Sequence, residues 1–347
     1  MNTAKIKLII AAISFALLGA ACTPGNIQTT AADGGIWLTQ DRGEAWQPKN
    51  NIYIEGSGSK TIANTNIKKI FFSPRDTRKI FAITERDGLW VSWNAANNWD
   101  MILASSKIND VKIDPIDTKI IYAAVEGAIA KTVDEGVIWK AIYTSDNPQV
   151  LITSLAQDPK KLSNILAATS EGDILISENS GTSWREFSSP GITLYDMQFH
   201  PGRNETIYAH ASGVGLTRSR DSGKTWEYFD KEFALYPGAN NFRDFVLVPS
   251  GVVYASQYGL LRSLNHGRDW VSLPLISGKN DANIYALAVN PDDPLELYYG
   301  TRSNFYISID GGFNWIPRQL PSTRGASDIL INPDDPSIIY LGVNRSI

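Results

Sequence analysis

Four aspartates have the side chain that acid–base chemistry requires: Asp110, Asp196, Asp244 and Asp328 each stand five residues ahead of a proline (Pro115, Pro201, Pro249, Pro333). Two carboxylates roughly 5–10 Å apart could protonate and attack a glycosidic bond, and Asp110 with Asp328 is the pair to weigh. Gathered at one height, the same acids would instead make a negative mouth that attracts a cation or a basic side chain. They could also simply accept backbone N–H bonds from the preceding loop. Arginines supply a second chemistry. Arg86 and Arg345 follow Phe81 and Tyr340 by five residues, Arg302 follows Tyr298 by four, and Arg324 lies on a nearby loop. Guanidinium forks suit a carboxylate or an acidic surface, although Glu85 and Asp87 are ready local partners. No Gly-x-Ser-x-Gly nucleophile elbow is present. Three scattered histidines (His200, His210, His266) and one cysteine cannot assemble a Cys/His zinc site, so neither metal nor cofactor is expected.

The elements that position these groups must come from 347 residues, 43% of them hydrophobic, enough for a sizeable core. The formal charge is −4, from 32 basic and 36 acidic residues with no long basic run, which argues against a general nucleic-acid binder. A lone cysteine excludes a disulfide framework.

Residues 1–22 read as an address. Lys5 and Lys7 precede an uncharged run from Leu8 to Ala21, and Cys22 follows. The run is shorter than the roughly 20 residues of a spanning helix and has the order of a secretory signal. Residues 23–33 read as a flexible tether, and residues 34–347 as one folded domain.

Tryptophan spacing exposes a repeat within that domain. The pattern Ser/Thr-x-Asp/Asn-x-Gly-x-x-Trp recurs with its acid or amide at Asp41, Asn94, Asp134, Asn179, Asp221, Asn265 and Asp310. Its tryptophans are Trp46, Trp99, Trp139, Trp184, Trp226, Trp270 and Trp315, with Ala96 in place of glycine in the second copy. Asp or Asn bonds its own local backbone and Gly accepts positive φ, so each box is a hairpin tip plugged by an indole. Ala96 predicts a strained or differently shaped turn. Upstream of the boxes, prolines 74, 115, 159, 201, 249, 291 and 333 each end a short apolar strand. Four short strands, A to D, recur every 40–50 residues, the period of a β-propeller blade.

The chain starts with a strand C and a box (Gly35-Ile-Trp-Leu-Thr39) and finishes with strands A and B (Asp328 to Asn332, Ser337 to Leu341). The fold expected is therefore all-β: seven four-stranded antiparallel blades, closed by pairing the C-terminal strands A and B with the N-terminal strands C and D. Closure removes exposed sheet edges.

These boxes resemble the Asp-box, or bacterial neuraminidase repeat, over residues 34–347. The blade count and the Ile-Tyr-Ala phrasing are similar to the sortilin propeller and to the photosystem II stability/assembly factor family. Gly19, Ala20 and Ala21 ahead of Cys22 resemble a bacterial lipoprotein signal, although Leu18 stands one place further from the cysteine than usual. The resemblance implies lipidation at Cys22 and an exported, membrane-anchored, non-enzymatic protein that binds a protein or peptide, with no contact to the membrane beyond the anchor. Carbohydrate is the alternative partner, because sialidases and xyloglucan-cleaving glycosidases share the box. The Arg-Ile-Pro signature of sialidases is absent, and xyloglucanases set two propellers around a cleft. In a propeller the D–A and B–C loops form the face around the channel mouth. Arg86, Arg302 and Arg345 belong there, on three neighbouring blades, as do the aromatics Tyr53 and Tyr236 of the two long D–A loops.

Overall fold

The computed structural model describes residues 33–52, 60–105, 107–276 and 283–347. They form seven four-stranded antiparallel sheets and one small two-stranded hairpin, Asn51–Ile52 against Lys60–Thr61. Blade 1 joins the two ends of the chain: Gly325–Ile331 (A), Ile339–Asn344 (B), Gly35–Thr39 (C) and Gln47–Pro48 (D). Strands B and C pair in register from Gly35↔Val343 to Thr39↔Ile339, so the tail completes the blade that the head begins. Blades 2 to 7 follow in order, over residues 67–103, 108–144, 152–188, 194–228, 242–273 and 286–319.

The apolar core is a ring of seven clusters, one at each blade-to-blade seam. Each strand B sends a large side chain into it: Phe81, Tyr122, Leu166, Tyr208, Tyr254, Tyr298 and Tyr340 are all at most 3% exposed. Burying one such side chain contributes about 1.5–3 kcal/mol, repeated in every blade.

The repeated turns fasten one blade to the next. In the first, the Thr39 hydroxyl donates to Asp41 Oδ1 at 2.6 Å and accepts the Gly43 N–H at 2.9 Å, while Asp41 Oδ1 accepts the Ala45 N–H at 2.9 Å. Arg42 and Gly43 both take positive φ, 56° and 86°. The second turn is not reshaped by its alanine: Ala95 and Ala96 hold φ of 56° and 62°, and Ser92 Oγ accepts the Ala96 N–H at 2.9 Å. What remains is the strain of an L-residue in left-handed backbone. The indoles reach the preceding blade. Trp99, Trp139 and Trp315 donate to the carbonyls of Lys49, Ile102 and Pro274 at 2.7–2.8 Å, and Trp46 packs edge-on against Phe305 of blade 7.

Candidate functional site

The innermost residues of strand A are Asp328, Lys69, Asp110, Ser154, Asp196, Asp244 and Ala286, taken from blade 1 to blade 7. Three of the acids are latches between blades. Asp328 accepts the N–H of Ile329 in its own strand at 2.9 Å and that of Ile70 in blade 2 at 2.6 Å. Asp244 does the same with Phe245 and, in blade 7, Leu287, both at 2.8 Å. Asp110 binds the N–H of Val111 and, in blade 4, of Leu155. Ser154 continues the pattern with a hydroxyl, which donates to Asp110 Oδ2 and accepts the Met197 N–H of blade 5. The expected bond to the preceding loop is thus a bond to the same strand and to the next blade.

Asp196 departs from this pattern. Its backbone sits at φ 47°, and its carboxylate turns across the channel to Lys69 Nζ at 2.6 Å, steadied by Gln198 at 2.9 Å. The ion pair bridges blades 2 and 5 and divides the channel. A cavity of about 340 Å³ lies on the loop side, bounded by Lys68, Tyr195, Phe242, Arg243, Tyr285 and the acids. A second, of about 420 Å³, lies on the proline-turn side. Lys69 and Asp110 line both.

Charges interact strongly in this wall. Loss of hydration pushes the Asp328 carboxyl up to about 6, although the Ile70 N–H and Lys69 oppose the shift. Asp244 rises well above the usual carboxylate range from burial and from the neighbouring Asp328 and Asp196. Desolvation works against charge on Asp196 as well, yet Lys69 and Lys112 outweigh it and hold its carboxyl low. The reverse holds for Lys69: burial opposes its charge, but Asp196 and Asp110 keep its ammonium above the usual lysine range. Beside the loop-side cavity, His210 stacks on Phe242 with centroids 4.0 Å apart, and burial pushes its imidazole down to about 4. The His210 imidazole is therefore uncharged at neutral pH.

The loop face carries the arginines. The last residues of the chain tie together the B–C loops of blades 7 and 2 and the segment entering strand A of blade 2: Arg302 Nε donates to the Ile347 carbonyl at 2.8 Å, the Ser346 hydroxyl bonds Glu85, and the Arg345 N–H bonds Asn66. Arg86 and Arg345 are exposed, and their guanidinium groups have no hydrogen-bond or ion-pair partner among the described residues. Arg324 does not join them. It is 4% exposed, donates to the Asn64 and Thr65 carbonyls and to Asn66, and pairs with Asp33, so it holds the blade 1–blade 2 seam. Tyr236 is also turned to the fold: its hydroxyl donates to the Trp270 carbonyl at 2.7 Å and its ring meets Tyr258 edge-on. Tyr53 and Cys22 lie outside the described residues. Sequence reasoning missed the acidic counterpart of the arginine sector, exposed Glu126, Asp146 and Glu171 on the loops of blades 3 and 4. Counting charges loop by loop, after blade assignment, would have found it.

No protein-family model matches the chain. Among curated proteins, a vacuolar protein sorting/targeting protein 10 from Schizosaccharomyces japonicus is 25% identical over 137 residues, 39% of this chain. The match spans 9% of that much longer protein. Among solved structures, YCF48 bound to a D1 peptide aligns with a TM-score of 0.62 at 16% identity, covering 80% of this chain and 92% of the other. YCF48 from Cyanidioschyzon merolae gives 0.59 at 13% identity, covering 86% and 99%. An ancestral GH74 enzyme gives 0.56 at 15% identity, covering 82% of this chain but 40% of the enzyme. At these identities the likeness is one of fold.

Proposed function

We propose that this chain is an exported, lipid-anchored, non-enzymatic propeller that holds a protein or peptide on its loop face, in an assembly or scaffold role. The anchor would be Cys22, acylated after removal of residues 1–21. One observation carries the reading: the inner acids are occupied in joining blades, whereas Arg86 and Arg345 stand free at the rim. An extended peptide with acidic side chains would meet guanidinium forks at blades 1, 2 and 7 and an apolar aromatic wall at the channel mouth. Opposite charge across the face, at blades 3 and 4, would fix its direction. The structural neighbour solved with a D1 peptide, matched over 92% of its chain, supports a peptide ligand.

The competing reading is a glycoside hydrolase, supported by the GH74 neighbour and by the raised carboxyls of Asp244 and Asp328. A general acid needs such a shift. Against it, each of these carboxylates already accepts backbone N–H bonds through both oxygens, which ties it to the joint between blades. The test pairs two assays: capture of envelope proteins on immobilised protein, identified by mass spectrometry, and a hydrolysis screen on xyloglucan and sialosides. Specific capture without hydrolysis is expected. Turnover abolished by Asp244→Asn or Asp328→Asn in a folded variant would replace the binding reading with the enzymatic one.

A further inference from the structure

On the box face, away from the loops discussed above, four arginines converge on the groove between blades 5 and 6. Arg203, Arg218, Arg220 and Arg268 line a cavity of about 290 Å³ with Thr206, Leu264, Asn265 and His266. We propose that this groove binds a phosphate dianion, free or as a small monoester. The proposal is independent of the loop-face reading.

Three features set the groove apart from a solvated rim of arginines. First, its cations are under-neutralised. Glu227 pairs with Arg218 at 2.5 Å and with Arg220 at 3.2 Å, while Arg203 and Arg268 have no ion-pair partner among the described residues. Among the described residues no carboxylate lines the cavity, and the nearby Asp269 is held by Asn265 at 2.7 Å. Second, one guanidinium is built in rather than free to swing. Arg218 is 5% exposed, lies over the Phe229 ring at 5.2 Å, and also donates to the His266 carbonyl. Its rotamer entropy is therefore already lost before any ligand arrives. Third, the floor is polar and unsatisfied. His266 Nδ1 is buried without a partner among the described residues, and the ring meets buried His200 edge-on at 4.8 Å. Burial, followed by the four arginines, holds the His266 imidazole below its usual range, so it adds no charge of its own at neutral pH. Planar forks from several directions around a compact space match the oxygens of a phosphate, with which arginine forms paired N–H···O bonds.

Isothermal titration of the full chain with inorganic phosphate and with glycerol 3-phosphate tests this, with chloride at matched ionic strength as the baseline. One site per chain is expected, weakened at least tenfold by Arg203→Gln combined with Arg268→Gln. Both residues are exposed, so the variant retains the Arg218–Glu227 pair and should fold, as circular dichroism would check. Lys119→Gln, an exposed cation elsewhere, should leave binding unchanged. Tighter binding of inorganic phosphate points to the free ion, and tighter binding of glycerol 3-phosphate to an esterified headgroup. No binding of either, or equal binding by the folded double variant, overturns the proposal.

Discussion

Replacing Lys69 with methionine tests the electrostatics of the channel, because it removes the cation that pairs directly with Asp196 across it. The two charges are 2.6 Å apart, with side chains 37% and 26% exposed. Breaking a fully buried pair costs about 3–5 kcal/mol and an exposed pair about 0–1 kcal/mol. This partly solvated pair falls between them, at about 2 kcal/mol. The loss should depend on pH. In the wild type the Asp196 carboxyl is depressed, so its contribution is present above the ordinary carboxylate range and disappears as pH falls through the folded value. In Lys69→Met the same carboxyl has lost its main opposing charge and keeps its desolvation, so its pKa rises and the native state takes up a proton at mild acidity. Urea unfolding at pH 8 and pH 5 should therefore show about 2 kcal/mol of destabilisation at pH 8, a midpoint shift on the order of 1 M. At pH 5 the loss should shrink. An equal loss at both pH values, or none at pH 8, would refute the argument that Lys69 is there to hold a charged Asp196.

Two further outcomes follow from the same geometry. Asp328 has a folded value of about 6 against about 4 unfolded, so its contribution to stability is greatest below pH 4 and is lost as pH rises through about 6. Asp328→Ser, copying the latch that Ser154 makes in blade 4, should thus gain on the wild type by about 3 kcal/mol between pH 4 and pH 7.5; a pH-independent difference in urea midpoints would contradict this. Gly181→Ala forces an L-residue to φ 91° and sets its Cβ 2.2 Å from Ile142 Cδ1 of blade 3. It should cost about 2 kcal/mol by thermal or urea unfolding, and a neutral result would show that the blade 3–blade 4 seam yields freely.

Blade count and ring closure were legible because they are local and periodic. A hydroxyl, an acid or amide, a glycine and a tryptophan at fixed offsets mark each turn, and unmatched half-blades at the two ends can only satisfy each other. The role of the indoles between blades was not legible, since Trp99 and its acceptor Lys49 belong to different repeats. Lys69 and Asp196 are 127 residues apart, and nothing in either repeat announces that one side chain crosses the channel to the other. The burial of Arg324 is hidden from the sequence for the same reason. That residue sits on a loop like Arg302, but its burial depends on how Asn64 to Asn66 of another blade pass over it. Distance from proline sets the position of each acid along strand A. Which backbone N–H each would accept required the neighbouring blade.

The proposal that the rim arginines hold the partner is tested most directly by one capture measurement. Wild-type protein and the Arg86→Ala, Arg345→Ala double variant are immobilised and exposed to the same envelope extract, with melting temperatures recorded alongside. Both guanidinium groups are exposed and unpaired among the described residues, so their removal should leave the melting temperature nearly unchanged while the captured partner is lost. Undiminished capture by the folded double variant would contradict the account.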